Sequence, residues 1–462
     1  IFNGKAYSGH AGDTLASVLI ANDVKVCGRS KRFGRARGIF SAGSITENVD
    51  VEFLKNGKPM IRLGSFFDEI YAGLSANSDV KLKLRDVNTF TVGGVKRYLQ
   101  QVQSRMQEHF PLSSLYSNFF ARQQTQGDNK KTPIRKHEVE LEFAFAHCDI
   151  LIVGCGFVGL IAAIMASRSG ARVIVLEKDF CLDTFFANSG FEISNKWRFD
   201  LIKELKDSTN VKIMTSTTFI GMDKDSSVCA LENNVGLDLT FDQTFWRIRA
   251  KNTVFATGAS ERVIAFPNND LPGVMLAEAV RTYLNRFAVF PGKKISIFTN
   301  NDTGWETAAL AMRLGVNIAA VVDTRPNSKN SLDCLTFRGS VITEAYGKDG
   351  LKKVKVEGRN GDVNYVSTDC LAVSGGWNPS VPNSLGEKVS FKWEKDIGSF
   401  VVDKKPANIN ILGGARGIYG DEIVILDTRK IMETVVSRLG RITKFEEYIT
   451  LQPKKYTITP YW

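Results

Sequence analysis

The stretch Cys148–Lys178, CDILIVGCGFVGLIAAIMASRSGARVIVLEK, decides the fold. Asp149–Val153 is a short apolar run suited to a buried strand, and Gly154-Cys155-Gly156-Phe157-Val158-Gly159 supplies the spacing GxGxxG. Leu160–Ser169 reads as a helix with small residues toward a sheet, and Arg172–Leu176 as a second strand closed by Glu177. Each part has a physical job in holding a dinucleotide. Gly154 permits the tight turn, Gly156 lets the backbone approach a pyrophosphate, and Gly159 lets helix and strand pack closely. The helix start, at Phe157 and Val158, offers N–H groups and a partial positive charge to phosphates. Glu177, followed by Lys178, stands where a carboxylate accepts hydrogen bonds from a ribose diol and repels a 2′-phosphate. GxGxxG alone is weak; the complete strand, glycines, helix, strand and acid are specific.

Length and composition set the frame. The chain has 462 residues, 43% hydrophobic and 24% charged, which suits two or three globular domains. It contains no apolar run of about 18 residues, so no membrane span is expected. Sixty Lys and Arg against 49 Asp and Glu give a net charge of +11. The positives are dispersed among acids and no nucleic-acid module is recognisable, so a basic surface without a nucleic-acid partner is the expectation. The seven cysteines (27, 148, 155, 181, 229, 334, 370) include no CxxC, which argues against a zinc site and a redox-active disulfide. That scatter fits a cytoplasmic location. The histidines at 10, 109, 137 and 147 have no evident acid or nucleophile beside them and read as structural.

Working outward, residues 1–95 read as a small α+β unit, with an Asn3-Gly4 hairpin turn and a helix to Ala21 for which Asp13 is the expected N-cap. The loop Gly28–Gly38 carries Arg29, Ser30, Lys31, Arg32, Arg35 and Arg37 between glycines. Such a loop suits a phosphate, and equally suits a solvated charged surface. Residues 96–145 read as a helical, then polar, connector. Residues 197–255 suggest a small sheet ending in Phe255-Ala256-Thr257-Gly258, where the chain passes close under a cofactor. Lys294–Phe298, Glu306–Leu314 and Asn317–Val322, ending at Asp323, repeat the strand–helix–strand pattern. Its loop, Thr299-Asn300-Asn301-Asp302-Thr303-Gly304, keeps only the last glycine, so this second unit is expected to keep the fold and to be empty. Ile411–Gly417, with Gly414, returns the chain to the first nucleotide. The expected division is 146–290 with 375–445 as the first dinucleotide-binding domain, 291–374 as an inserted second one, and 446–462 as the start of a linker.

With these residues assembled, the chain resembles the α subunit of heterotetrameric sarcosine oxidase. The matching runs are GHAGDTLASVLIAN (9–22), GRSKRFGRARGIFSAGS (28–44), the glycine fingerprint, FWRIRAKNTVFATGASER (245–262), FPNNDLPGVMLAEAVRTYLNRF (266–287), IFTNND (297–302) and SGGWNP (374–379). The resemblance implies an α/β fold of two Rossmann-like FAD/NAD(P)-binding domains behind an N-terminal β-grasp, ferredoxin-like domain. In the wider group of amine-oxidising α subunits that domain holds a [2Fe–2S] cluster through cysteines just after the Arg-Gly step. Here Gly38–Thr46 has none, so no cluster is expected.

The resemblance further implies a tightly bound, non-catalytic NAD lined by Gly154, Gly156, Gly159, Glu177, Thr257, Gly258 and Gly414. Arg29 and Ser30 are candidates for a flavin-phosphate or interface role. It implies FAD and FMN on or shared with a β subunit, with γ and δ subunits completing the complex, and demethylation of sarcosine to glycine with this chain supplying no acid, base or nucleophile. The family's acid and paired glycines after the ribose acid are replaced by Asp179–Phe186. The family's folate-binding aminomethyltransferase-like domain would start about where residues 446–462 end, and tetrahydrofolate is implied only if a C-terminal domain exists. Two alternatives stand beside this reading. One is an FAD-dependent NAD(P)H oxidoreductase or amine dehydrogenase subunit; the other is a truncated, non-catalytic nucleotide-binding or adaptor protein.

Overall fold

In the computed structural model, residues 1–30, 33–43, 51–55, 58–61, 67, 69–70, 74–78, 141–182, 195–223, 225–234, 243–382, 385, 388–443 and 445 are described. The expected connector lies outside them up to residue 140, and so does the expected linker at 446–462. Asn3 and Gly4 both take positive φ (48° and 78°) between the bridged residues Phe2 and Lys5, as a tight hairpin turn requires. Helix α1 (Leu15–Ala21) starts one residue later than expected. Thr14, not Asp13, is its N-cap: the Ser17 N–H donates to Thr14 Oγ1 at 3.2 Å, and the Thr14 N–H to Ser17 Oγ at 2.9 Å. This reciprocal pair satisfies two N–H groups at once, and Asp13 braces it by accepting from Ser17 Oγ. Strands Glu52–Lys55, Lys58–Ile61 and Ser75–Asn77 form a three-stranded antiparallel sheet beside α1.

The first large sheet grows from β1 (Leu141–Val153), whose final residues are buried on both faces, as parallel strands between helices must be. Helix α2 (Phe157–Arg168) follows, with ten of its twelve residues buried, and then β2 (Val173–Leu176). Residues expected to begin a small sheet form helix α3 (Asn195–Asp207) instead. Leu201, Ile202 and Leu205 are buried at helical spacing, and Trp197 meets Phe157 of α2 with ring centroids 6.1 Å apart. After it, β3 (Val211–Met214) pairs parallel with β2. Strand β4 (Gln243–Phe255) runs parallel to β1 over its whole length. Its outer edge is shared. Residues 243–248 pair antiparallel with Val228–Asn233, which pairs with Thr217–Met222, while 253–255 are left for the chain's later return.

A second parallel sheet begins at β5 (Val274–Leu276), upstream of residue 291, where the repeat was expected to start. Helix α4 (Ala277–Arg286), β6 (Lys294–Thr299), α5 (Asp302–Arg313) and β7 (Asn317–Asp323) continue it. Strand β8 (Cys370–Ser374) inserts between β5 and β6. Helix α5 starts four residues before Glu306 because Asn301 caps it. The chain crosses between the two sheets on the antiparallel pair Ala259–Glu261 and Trp377–Pro379. Then β9 (Ile409–Ile411) lies parallel to the end of β4, and α6 (Asp421–Ser437) packs on α2.

The N-terminal domain is docked on the second sheet. Phe2, Leu15, Leu19 and Phe53 share one core with Val280, Tyr283, Ile295 and Trp305. The Leu276 N–H donates to Phe40 O at 2.9 Å and Tyr283 Oη to Ser41 O at 2.9 Å. Asp270 accepts from Arg35 Nε and Nη2 at 2.8 and 2.6 Å and also from Arg37 Nη1, and these partners hold its carboxyl below the usual carboxylate range. Asp270→Ala removes the acceptor from two guanidinium groups. The expected cost is about 1–3 kcal/mol, the range for charge-assisted hydrogen bonds partly screened by solvent, read as a lower denaturant midpoint and faster proteolysis at the 28–43 loop.

Candidate functional site

Three parallel strands, β1, β4 and β9, end side by side, and the turns that follow them make the site. The Ala256 N–H donates to Val153 O and the Leu412 N–H to Phe255 O, both at 2.9 Å, so the three exits stay in register. A Cβ at Gly154 would lie 2.6 Å from Ala256 O, and one at Gly159 would fall inside the Gly154 carbonyl. No other residue type allows this approach. Gly414 sits 3.2 Å, measured from an added Cβ, from Gly258 C and Ala259 N, so the third turn closes on the second. Gly154, Gly156, Val158, Thr257, Gly258 and Gly414 remain half-exposed in otherwise buried surroundings, and they form the open side of the cradle. Carboxyl ends of adjacent parallel strands are where open α/β sheets take ligands.

The start of α2 points into this opening. Its N-cap is Gly156, and no side chain caps it. The first-turn N–H groups of a helix have no intrahelical acceptor, so this terminus fits an anion. Glu177 lies 7% exposed beside it. Its Oε2 accepts from the Cys155 N–H at 2.6 Å and its Oε1 from the Asp179 N–H at 3.0 Å. Burial raises its pKa, and the two backbone donors oppose that rise. Each oxygen keeps a lone pair, so the carboxylate fits a ribose diol without losing either bond. Cys155 is a buried thiol whose pKa burial raises, in keeping with a packing role.

The other expected site residues divide. Thr257 hydrogen-bonds through Oγ1 to Ser380 O, which leaves its backbone at the opening. Phe157 turns its ring into the core against Trp197, so only its backbone lines the site. Lys178 Nζ donates to Gly43 O of the N-terminal domain at 2.8 Å. Arg29 and Ser30 are not brought to the cradle. Arg29 reaches Gly34 O and Asp349, while Ser30 Oγ accepts from the Arg35 N–H at 3.0 Å. Asp270 and Asp349, distant in sequence, hold this loop through Arg35 and Arg29, contacts that its charge pattern alone does not reveal. Lys31 and Arg32 lie outside the described residues.

The second copy of the pattern is filled by its own side chains. Asn301 caps α5, accepting the Thr303 N–H at 2.9 Å, and its Nδ2 donates to Asn300 Oδ1 and Ser374 O, each at 3.0 Å. Thr299, Asn300 and Asn301 are all at most 2% exposed. Asp323, at the ribose-acid position, is fully buried and accepts from Trp305 Nε1 at 2.8 Å and from Arg325. Asp302 is paired with Arg325 at 2.9 Å and accepts from Asn330.

One buried acid escapes sequence reading. Glu261, 2% exposed, accepts the Glu278 N–H at 2.6 Å and Ser374 Oγ at 2.7 Å, and so joins the crossing strand to α4 and β8. Its place three residues after Gly258 is visible, but its partners lie 17 and 113 residues away. Among the described residues no cluster of three or more His, Cys, Asp or Glu could hold a metal ion, and no helix is long and apolar enough to cross a membrane.

Comparison with known proteins follows the same lines. Residues 148–411 match the family described as pyridine nucleotide-disulphide oxidoreductase, and residues 1–77 match the 2Fe-2S iron-sulfur cluster binding domain family. In residues 1–77 the only cysteine is Cys27, 1% exposed, so the thiolates that such a cluster needs are not there. The sarcosine oxidase subunit alpha of Rhizobium meliloti (strain 1021) is 30% identical over 458 residues, covering 95% of this chain and 46% of that one. The subunit alpha from Corynebacterium sp. (strain U-96) is 32% identical over 457 residues, covering 94% and 42%. The chain thus spans about half the length of the curated relatives it matches. The L-proline dehydrogenase of P. horikoshii superposes with a TM-score of 0.63 at 18% identity, over 96% of this chain and 74% of that one, which shows a shared fold.

Glu261 sets a pH dependence. Burial pushes its pKa from 4.5 up to about 7, against the pull of Arg281 and with some push from Glu278. The folded state therefore holds a proton that the unfolded chain releases near pH 4.5, so stability falls as pH rises from about 4.5 to 7 and is level above. Glu261→Gln is expected to lose most of this slope and to gain on the order of 3 kcal/mol relative to the parent between pH 4.5 and 8, measured by urea denaturation at each pH.

Proposed function

Since the chain belongs to the pyridine nucleotide-disulphide oxidoreductase family and has sarcosine oxidase α subunits as homologues over nearly its whole length, we propose that it is the NAD-holding part of an amine-oxidising complex. The first cradle takes the dinucleotide: the start of α2, with Gly156, faces the pyrophosphate, and Glu177 holds the adenosine ribose. Thr257, Gly258 and Gly414 close the far wall. Glu177 has no cationic partner among its hydrogen bonds, so a 2′-phosphate would meet an unbalanced carboxylate, which favours NAD over NADP.

The observation that carries this reading is the contrast between two equivalent helix starts. That of α2 has no side-chain cap, whereas Asn301 and a first-turn Asp302 close that of α5. An anion gains fixed N–H donors at the first and meets an occupied cap at the second. The second sheet then serves as the seat of the N-terminal domain, bound through Asp270 and Tyr283.

The relatives' names support a sarcosine-oxidising, multi-subunit setting, and the rest of the assignment carries over what the sequence resemblance implies. The substrate is sarcosine or a related secondary amine, and FAD and FMN sit on, or are shared with, a partner β subunit, with γ and δ subunits completing the assembly. A flavin, when bound there, supplies the hydride acceptor for amine oxidation. This chain contributes binding and orientation. The buried acid of the cradle, Glu177, is held by two backbone N–H groups.

Gly156→Val tests the cradle. Gly156 has φ −66° and ψ −167°, extended backbone that valine adopts, so the variant is expected to fold while its side chain enters the pyrophosphate's space. Nucleotide released by acid and identified by mass spectrometry should be NAD in the parent and fall by about tenfold or more in the variant, equivalent to about 1.4 kcal/mol. Full retention would place the nucleotide elsewhere, and FAD in the extract would replace NAD in the same cradle. Steady turnover of NADH with an electron acceptor by this chain alone would overturn the non-catalytic role.

A further inference from the structure

The turn that carries Glu177 is tied down by its next two side chains, each to a different part of the molecule. Lys178 Nζ donates to Gly43 O of the N-terminal domain at 2.8 Å. Asp179 pairs with Arg286, the last residue of α4 and 107 residues later in the chain. Arg286 Nη1 donates to Asp179 Oδ2 at 2.8 Å and Nη2 to Oδ1 at 3.0 Å. Both side chains are largely covered, at 13% and 21% exposure. The guanidinium carbon also lies 4.9 Å from the centre of the Phe180 ring and 4.8 Å from that of Phe287, and Nη2 stands 3.8 Å from Cys181 Sγ. One arginine thus touches three consecutive residues, 179–181, and fixes the path of the chain after the acid.

Two parallel N–H···O bonds orient a carboxylate, where a single contact only attracts it. Breaking a covered pair from one side leaves an ion without a partner, so this pair is not readily exchanged for water. The consequence for the site runs through the backbone. The Asp179 N–H donates to Glu177 Oε1 at 3.0 Å, and the Cys155 N–H to Oε2 at 2.6 Å. Cys155 is held by the glycine turn itself. On the other side, the carbonyls of Glu177 and Asp179 accept from the Thr217 and Ser216 N–H groups, both at 2.8 Å. Those bonds seat the turn on its neighbour, and the Arg286 fork adds the contact that reaches it from the second sheet. A ribose diol brings two hydroxyls, so it needs both carboxylate oxygens held at a fixed angle.

We propose that Arg286 is a positioning residue for an adenosine ribose: through Asp179 it aims the backbone N–H that sets the plane of the Glu177 carboxylate. The proposal rests on the reading of the first cradle as a dinucleotide site. It adds the place where ribose recognition is set, on a helix of the second sheet rather than in the cradle alone.

ADP and 2′-deoxy-ADP read the ribose contact directly, because they share adenine and pyrophosphate and differ in one hydroxyl. The concentrations of each that displace half of the bound nucleotide are compared on the full chain. The parent is expected to prefer ADP by about tenfold or more, the weight of a hydrogen bond to a charged acceptor. Asp179→Asn/Arg286→Met removes both charges together and leaves no covered ion unpaired, so the preference is expected to shrink to about two- to threefold at a near-parental melting temperature. Asp179→Asn alone keeps the side-chain shape and is expected to give less than about fivefold, and it carries the comparison should the double variant not fold. Arg286→Lys keeps the charge and a donor to Asp179, and is expected to stay above about fivefold. Parental preference in both Asn variants, or equal weakening of the two ligands, overturns the proposal and leaves the cradle standing. A parent that holds no nucleotide, or does not discriminate between the two ligands, overturns the reading of Glu177 as the ribose acid and the proposal with it.

Discussion

The approach of Gly159 to the carbonyl of Gly154 is the contact on which the rest of the architecture depends. Any side chain at position 159 would occupy the Gly154 carbonyl, and any at 154 would strike Ala256 O. Because neither exists, α2 starts directly over the ends of β1 and β4 and can be buried along nearly all its surface. That burial fixes α3 and α6 on its outer side, through Trp197, Leu205, Met432 and Val435. It also brings β9 beside β4, and with it the 413–417 turn. The cradle is therefore a by-product of close backbone packing at three strand ends, with its polar equipment reduced to N–H groups and one carboxylate.

The two strand–helix–strand units show how little separates an open helix start from a closed one. Both have a helix start aimed at the end of a strand and an acid at the end of the next. In the first, Glu177 is held by backbone N–H groups and the helix start is bare. In the second, Asn301 turns inward to close the helix, and Arg325 with Trp305 takes up Asp323. A buried polar network with nearly every group partnered is stabilising as it stands, and opening it to a ligand would leave donors and acceptors without partners.

Residues 38–43 of the N-terminal domain bridge both sheets' neighbourhoods: Phe40 O and Ser41 O accept from Leu276 and Tyr283, and Gly43 O accepts from Lys178. The loop is a brace between the second sheet and Lys178, the residue following Glu177. The Arg35 and Arg37 pair on Asp270 fixes it from the other side.

Short-range pattern determined a good deal of this protein. The glycine spacing at 154–159, the acid at 177 and the loss of glycines at 299–301 are local features, and the elements they announce stand within a few residues of their expected limits. The absence of cluster cysteines was equally legible, since ligands that are not in the chain cannot be supplied by folding it. Local pattern failed where long-range partners decide. The helix at 195–207 follows from packing on α2, Thr14 displaces Asp13 as cap because Ser17 answers it, and the second sheet starts at Val274 because β8, nearly a hundred residues later, pairs with it. Arg35 and Arg37 are joined to Asp270, and Glu261 becomes a buried junction, for the same reason. Charge and burial are properties of what surrounds a side chain, and tertiary structure alone brings those surroundings together.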